Sequence, residues 1–494
     1  MKTLESFLNR TTMYRLVLYG LGIIAAAAFI LSAFGVLSLS VISLATSLTL
    51  LLASTVTAEF VFSRMYGTTT SVESIWITAL ILFLTIAPPA TAAEIGVVAI
   101  AGALAIVSKY VLRLNKKHIF NPAALALVVV SLAGSGLASW WVGTPYLLPV
   151  VAVVGFLIVR KIHRFDALLS FAATSVGITT LLSVLQGFSI TSALSMLVLS
   201  GPLVFFSTIM LTEPLTMPPT KNLRIVYGLM VGGLYASQFH LGLLYATPHL
   251  ALILGNVYSY IVSSKEKLLL KLQSVEQLSA NVYEFVFNPN QRLAFAAGQY
   301  LEWTLPHASP DNGGNRRYFT ISSSPAKREV RVGVRIDQDA SSFKTAMLNM
   351  KKGDGLVATS LSGDFVLPEE VQQKLLFIAG GVGITPFASM LRYLIDIGQR
   401  RDIVLFYVAS KEEDLAYRPL LEEAARIIGL NAISVTGKRL NKEMLQQYVP
   451  DSTNRKSYIS GPDAMVKSCK DLLVSLGVAR GNIKTDYFTG FSTV

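Results

Sequence analysis

Within four residues, Arg317-Tyr318-Phe319-Thr320 brings together three kinds of side-chain chemistry. A guanidinium meets phosphate oxygens bidentately, so Arg317 is expected to pair with the diphosphate of a dinucleotide. Phe319 offers a face on which a ring system can stack. Thr320 offers a hydroxyl to the ring nitrogen that accepts hydride, which makes it the catalytic candidate, and Tyr318 lies between them. Together they make a flavin seat. About sixty residues further on comes Gly380-Gly381-Val382-Gly383-Ile384-Thr385-Pro386. Glycines after a strand let a phosphate approach the backbone, although this is not the G-x-G-x-x-G fingerprint. Thr385 adds a hydroxyl and Pro386 a helix start. A second turn, Ser460-Gly461-Pro462, is expected to line the same crevice. Between these stretches lie Ser341-Ser342-Phe343 and Ser362-Gly363-Asp364-Phe365. The first precedes a helix, where Ser342 and its N–H can meet phosphate. An R-x-F-T stretch alone also fits an ordinary strand; the combination is what points to FAD with NADH or NADPH.

These residues need elements to hold them. From 268 to 366 short alternating runs such as NVYEFVFN (281–288), QYLEWTLP (299–306), EVRVGVRI (329–336) and GLVATSL (355–361) are separated by glycines and prolines. That pattern predicts a small antiparallel β-barrel. From 375 onward, strand–turn–helix units predict an open parallel sheet with its ligand at the strand C-terminal ends. The expected domains are therefore 265–370, an FAD barrel, and 371–494, an α/β domain for NAD(P).

Residues 1–264 differ in composition. The whole chain is 52% hydrophobic and 15% charged, and most of that excess lies in this first half as long apolar runs. Runs of about twenty such residues cross a bilayer. Ten spans are expected, near 14–37, 41–63, 75–87, 93–112, 120–136, 145–160, 167–186, 192–211, 225–245 and 248–263. The basic residues before Leu268 (Lys2, Arg10, Arg15, Arg64, Lys109, Arg113, Lys116, Lys117, Arg160, Lys161, Arg164, Lys221, Arg224, Lys265 and Lys267) all fall on one face of that arrangement. A multi-pass protein of the cell (inner) membrane is expected, with both termini and the second half cytoplasmic. The N-terminus has no small-residue cleavage site and is expected to be an anchor. Topology also accounts for the net charge of +12, so no nucleic-acid partner is expected. The single cysteine, Cys469, excludes an intrachain disulfide and an iron–sulfur cluster held by this chain's thiolates. Lys265–Lys271 is a short basic bridge, so the second half is expected to dock against the membrane.

The first half also repeats. Pro88 to Pro122 and Pro214 to Pro248 are equal intervals, with LTIAPPAT (84–91) facing LTEPLTMPPT (211–220) and FNPAALALVVV (120–130) facing ATPHLALIL (246–254). Five spans per repeat makes the two halves inverted, and prolines in short apolar segments point to half-helices meeting near the membrane midplane. Their N-termini would offer N–H groups to an anionic ligand. The plainer alternative is that these prolines end helices at loops.

NKKHIFNPAALALVVV (115–130), IMLTEPLTMPPT (209–220) and ALILGN (251–256) resemble the B subunit of the sodium-pumping NADH:quinone reductase and the D subunit of the Rnf complex, over about residues 40–263. The resemblance implies a ten-helix, flavin- or quinone-binding membrane subunit with inverted repeats and FMN or riboflavin. Those subunits bond FMN to a Thr in an S-G-A-T-like sequence. Here the corresponding loop is LASWWVGTPY (137–146), which departs from that pattern and leaves Thr144 as the attachment candidate.

RYFTISSSP, FIAGGVGITPF, YISGPDAM and TDYFTGF resemble the ferredoxin–NAD(P) reductase family over nearly the whole second half. This implies non-covalent FAD on Arg317, Phe319 and Thr320, and NAD(P)H on Gly381, Gly383, Thr385, Gly461 and Pro462. An aromatic of the tail, Phe488 or Phe491, would cover the flavin ring. Many relatives carry Cys where this chain has Ser460. Ser410 and Lys411 suit a 2′-phosphate while Glu412, Glu413 and Asp414 repel one, which leaves the coenzyme open.

The expected function is a membrane-bound flavoprotein taking hydride from NAD(P)H onto FAD. Electrons then pass to a membrane flavin, a quinone or an external acceptor, directly or through a partner electron carrier. One alternative is a redox-driven Na⁺ or H⁺ pump, for which Glu59, Glu94 and Glu213 are the nearest carboxylates. Another is haem-type ferric or oxygen reduction, which needs stacked His pairs. His118 and His163 fall in loops, His240 in span 9 and His249 at the start of span 10.

Overall fold

The structure, a computed structural model, describes residues 8, 11–66, 72–114, 117–237, 240–241, 244–263, 267–308, 310–311 and 314–488. It divides into two compact units, Met1–Lys265 and Glu266–Val494. The start of the basic bridge lies outside the described residues.

The first unit is helical. Its elements are α1 (Met13–Ala33), α2 (Val41–Tyr66), α3 (Val72–Thr85), α4 (Ala92–Val111), α5 (Pro122–Leu132), α6 (Leu148–Ile162), α7 (Phe165–Leu185), α8 (Ile190–Leu199), α9 (Leu203–Phe205, continuing as a π-helical turn Phe206–Met210), α10 (Lys221–Ala236) and α11 (Pro248–Val262). Capping sets several starts. Thr12, Asn121, Ser189 and Thr247 side chains each accept a backbone N–H of the first turn, and Thr91 and Glu94 form a reciprocal capping box. Glu94 is thereby a capping group.

A helix stands at each of the ten expected positions, but ten full spans do not follow. Among the described residues only α1, α2, α4 and α7 are long and apolar enough to cross a membrane, or five spans if α8 and α9 with its π turn, bent by 57°, count as one. The 11 residues of α5 rise only about 16 Å, roughly half a hydrocarbon core. The reason is local. Pro122 and Pro248 open α5 and α11, while Pro88 and Pro214 stand in the irregular segments after α3 and after the π turn. His240 also moves: it lies beyond α10 in a short pairing of His240–Leu241 with Leu244–Tyr245.

Packing within the unit recurs in pairs. α1 lies on α3 and α6 on α9; α2 on α4 and α7 on α10; α4 on α5 and α10 on α11; α1 meets α6 and α5 meets α11. A Cβ on Gly102 would overlap Ser54 Oγ, and one on Gly228 would overlap Ser170 Oγ. Glycine at both places lets α2–α4 and α7–α10 approach closely. The end of α3 is completed from a distance. Trp140 N donates to Thr85 O at 2.9 Å, Val142 N to Leu84 O at 3.1 Å and Trp141 Nε1 to Phe83 O at 2.7 Å, so loop 137–142 satisfies carbonyls that a helix end leaves open.

The second unit begins with six strands, β1 (Leu268–Gln277), β2 (Val282–Pro289), β3 (Tyr300–Thr304), β4 (Arg316–Thr320), β5 (Val330–Arg335) and β6 (Gly355–Ser362), with α12 (Ser342–Leu348) before the last. They pair antiparallel in the order β4-β3-β6-β1-β2-β5, and a single bridge between Ile321, just past β4, and Val332 joins the two edge strands at one point. Inward residues such as Phe285, Phe287, Trp303 and Val332 fill it, with Phe343 of α12 among them. A parallel sheet follows: β7 (Leu375–Gly380), β8 (Ile403–Ala409), β9 (Asn431–Thr436), β10 (Lys456–Pro462) and β11 (Ile483–Phe488), in the order β9-β8-β7-β10-β11. Every residue of β7 is buried. Leu375, Phe377 and Ala379 face α13 (Thr385–Asp396) and α14 (Arg418–Ile428), whereas Leu376 and Ile378 face α15 (Lys442–Tyr448) and α16 (Asp463–Ser475). A strand covered on both faces is a continuous apolar run. Chain order reverses between β7 and β10, which opens a crevice at their C-terminal ends.

Candidate flavin and coenzyme site

At that reversal the two glycine turns touch. β7 ends at Gly380, a single 3₁₀ turn spans Gly381–Ile384, and α13 begins at Thr385 with Pro386 behind it. A Cβ on Gly461 would lie 3.1 Å from Gly380 Cα, and one on Gly383 would lie 2.6 Å from Ser460 C. Gly381 has φ +53°, and a Cβ there would meet nothing within 4 Å. The left-handed backbone is thus exposed to whatever approaches the start of α13. Thr385 is turned inward: buried, it donates to Val382 O at 3.1 Å and so fastens the turn. Pro462 is exposed at the end of β10. Beside it, the buried Ser460 Oγ has no hydrogen-bond partner among the described residues.

Strand alternation divides the R-x-F-T residues. Arg317 and Phe319 stand opposite Trp303 and Leu301, while Tyr318 and Thr320 stand opposite Glu302 and Tyr300. Arg317 and Phe319 both reach Phe343: the guanidinium carbon is 5.3 Å from its ring centroid, and the two rings are 5.9 Å apart. Thr320 is buried on the other face. A ring touching both Phe319 and Thr320 must therefore lie across the strand edge. Among the described residues that edge is open, because β4 pairs only with β3 from Arg316 to Thr320. Tyr318 is 54% exposed, edge-on to Tyr300 at 5.8 Å, with its hydroxyl donating to Glu302 at 3.3 Å. Gly363, at φ +122°, lies against the Tyr300 ring.

Arg317 and Ser342 are brought together on one anion. Arg317 Nη2 donates to Asp311 Oδ1 at 3.3 Å and Ser342 N donates to Asp311 Oδ2 at 2.7 Å. Ser342 Oγ accepts from Asp311 N at 2.9 Å and bonds His307 Nε2 at 2.9 Å. Burial pulls the Arg317 pKa below the ordinary arginine value, and Asp311 opposes the shift. Next to Ser342, the buried Ser341 Oγ has no hydrogen-bond partner among the described residues. A guanidinium, a backbone N–H, two unpartnered serine hydroxyls, an open strand edge and a glycine cradle fit the diphosphates and ring of FAD and NAD(P)H.

Other expected residues lie elsewhere. β11 places the Phe488 backbone opposite Pro462; the Phe488 side chain and all of Phe491 lie outside the described residues. Thr144 belongs to the first unit, where its Oγ1 accepts from Leu147 N at 3.4 Å just before α6. The adjoining Gly143 presses on Gly201, in the break between α8 and α9. His249 has both ring nitrogens engaged, accepting from Trp140 Nε1 at 3.3 Å and bonding Ser131 Oγ at 2.9 Å. Asn121 Nδ2 donates to Glu213 at 2.7 Å, and Tyr110 OH to Glu59 at 2.7 Å.

One residue had no sequence signal. Glu284 of β2 is fully buried and accepts from Ser322 Oγ at 2.6 Å, Arg392 Nη1 and Nη2 at 2.9 and 2.8 Å, Tyr417 OH at 2.9 Å and Arg331 Nη1 at 3.2 Å. Burial alone would raise its pKa, but the Arg392, Ser322 and Tyr417 hydrogen bonds hold it down at about 2.

Residues 377–471 match the family "Oxidoreductase NAD-binding domain". Flavohemoprotein A of Dictyostelium discoideum is 24% identical over 237 residues, 44% of this chain and 59% of that protein. The stachydrine N-demethylase reductase subunit Stc4 of Rhizobium meliloti (strain 1021) is 29% identical over 225 residues, 42% of this chain and 63% of that protein. The flavohem-like FAD/NAD-binding domain of nitric oxide dioxygenase from Vibrio cholerae O1 biovar El Tor superposes with a TM-score of 0.40 at 20% identity, covering 45% of this chain and 98% of that one. The chain spans about three-fifths of the length of the curated relatives named here. Its C-terminal half matches a ferredoxin–NAD(P) reductase-like domain of the kind these relatives carry.

Proposed function

We propose that this chain is a membrane-bound flavoprotein oxidoreductase that takes hydride from NAD(P)H onto FAD in its second unit. It passes the electrons to a flavin, a quinone or an external acceptor served by its first unit, directly or through a partner electron carrier. The observation that carries this reading is the contact of Gly380–Gly383 with Ser460–Pro462 at the reversal of the sheet, in the same unit as the Arg317–Ser342 donor pair.

When bound, FAD supplies the conversion of a two-electron hydride into single-electron steps. The chain supplies the seats. Arg317 and the Ser342 N–H hold the flavin diphosphate in place of Asp311. The open edge of β4 offers backbone groups to the ring, Phe319 packs against it and Thr320 presents a hydroxyl. Gly381 lets the coenzyme diphosphate reach the positive end of α13, and Gly383 lets the Ser460–Gly461 backbone close against that turn. Gly461, Pro462 and the Ser460 hydroxyl line the other wall, and an aromatic of the tail, Phe488 or Phe491, would cover the ring.

For the first unit the reading is a multi-pass domain, residues 1–264, in the cell's inner membrane. It is built from two inverted five-helix repeats, ahead of an FAD barrel (265–370) and an NAD(P) domain (371–494). Support comes from the recurring helix pairs, from α5 and α11 running antiparallel with Asn121 beside Asn256 and Ser131 beside His249, and from the one-sided Lys and Arg positions. Thr144 is the proposed attachment point of a membrane flavin. A second reading, redox-driven Na⁺ or H⁺ transport, is favoured by Glu59, a carboxylate buried within α2 and hydrogen-bonded to Tyr110.

The test is to purify the full chain in detergent, extract its flavins, and measure NADH and NADPH oxidation coupled to quinone reduction. FAD released on denaturation together with quinone reduction supports the reading. Coenzyme oxidation that never reduces a quinone or outside acceptor sinks the membrane step, and absence of FAD sinks the whole. Flavin fluorescence that stays with the denatured wild type and is lost in Thr144→Ala supports the attachment; its absence in the wild type removes it. Turnover in vesicles that is independent of sodium and moves no protons removes the pump.

A further inference from the structure

One helix joins the two seats. α13 starts at the coenzyme turn, and its Thr385, Ser389 and Arg392 share a face by their i, i+4, i+7 spacing. Thr385 Cγ2 lies 2.7 Å from where a Cβ on Gly333 of β5 would stand, so the missing side chain admits it. Ser389 Oγ donates to Ser323 O at 2.7 Å, and Arg392 Nη1 to Ser322 O at 2.8 Å. Ser322 and Ser323 continue the flavin strand just past Thr320. The far end of this stripe closes on Glu284, whose donors come from the barrel (Ser322, Arg331), from α13 (Arg392) and from Tyr417, the residue that enters α14. Tyr417 is itself held in the left-handed region at φ +62°, its ring 5.4 Å from the Arg392 guanidinium.

We propose that Glu284 is a positioning residue for hydride transfer, locking α13 and Tyr417 to strands β2 and β5 so that the coenzyme turn is fixed relative to the flavin strand. The inference rests on the NAD(P)H-to-flavin reading above. The transfer breaks a carbon–hydrogen bond of the dihydronicotinamide and carries the hydrogen with its electron pair to the flavin; Glu284 exchanges no proton or electron. Its part is geometric. Reacting atoms must sit about 3–3.5 Å apart, and a misplacement near 1 Å costs on the order of a hundredfold in rate. A buried ion cluster seldom adds stability over an apolar core of the same volume, whereas its directional bonds specify one arrangement. A carboxylate holding two guanidiniums, a serine and a tyrosine suits registration.

The experiment uses the full detergent-solubilised, FAD-loaded chain, with anaerobic stopped-flow reduction by the faster of NADH and NADPH. Tyr417→Phe, Arg392→Lys and Glu284→Gln are compared with the wild type. Expected are FAD and coenzyme affinities within about threefold, flavin reduction slower by roughly ten- to a hundredfold, and a larger isotope effect with the deuterated coenzyme. In the cofactor-free chain, amide hydrogen exchange in α13 should rise relative to β7. If Glu284→Gln does not fold, the two milder variants carry the test. Folded variants that reduce flavin at the wild-type rate, or lose rate only in proportion to lost FAD, overturn the inference. A wild type that holds FAD but is reduced by neither coenzyme overturns the functional reading and this inference with it.

Discussion

Arg317 and Asp311 define the first testable pair at the level of single residues. Arg317→Ala removes the guanidinium from the proposed diphosphate seat, and FAD affinity should fall at least tenfold, with Arg317→Lys recovering only part, measured by flavin titration. Asp311 competes for the same two donors, so Asp311→Ala should tighten FAD severalfold in the same assay. Glu284 gives a pH signature. Its folded pKa lies near 2, below the usual glutamate value, so its contribution is fully present above about pH 4.5 and is lost as pH falls toward 2. The shift corresponds to roughly 3 kcal/mol, and Asp451, held at about 2 by Arg455 and Lys374, titrates in the same window. Denaturant melts should show Glu284→Gln well below the wild type at pH 7 and closer to it at pH 3. Arg317 and the glycines were legible because their chemistry is local. Glu284 was not, since Arg392 and Tyr417 stand 108 and 133 residues away and a lone acid in a strand reads as outward-facing.

The elements followed the periodicities that formed them. Alternation marked most of the barrel strands, and an unbroken apolar run marked β7. β9 gave little signal, because an edge strand buries few of its residues, and in Asn431–Thr436 only Val435 is buried. In the first unit hydropathy located the helices but overstated their reach: apolar turns flanking a short helix add to the same run, and only the proline starts separate them. At the glycine turn, Gly383→Ala would drive a Cβ into the Ser460 backbone, which has no flexible end to yield. It should cost about 1–3 kcal/mol in melts and raise the coenzyme KM at least tenfold, while FAD stays bound. In the first unit, Asn121→Ala removes the α5 cap and the Glu213 bond together. A loss of about 1–3 kcal/mol is expected, read by thermal melting in detergent.

On the scale of the whole molecule, the change of composition near residue 265 coincides with the division into two units. Self-contained units are why a boundary was visible from composition alone, whereas pairings such as Asn121 with Asn256 depend on the folded chain. The long-range completion of α3 bears on how the protein is made. Trp141 reaches back 58 residues to Phe83, an interval of roughly 3–12 s at ordinary translation speeds. Throughout that interval the nascent chain holds carbonyls whose donors have yet to be made, and the cleft for Gly143 stays unfilled until Gly201 emerges. Ribosomes stalled before codon 142 should therefore leave a product that the cell's quality-control proteases clear, while release after codon 202 lets it persist.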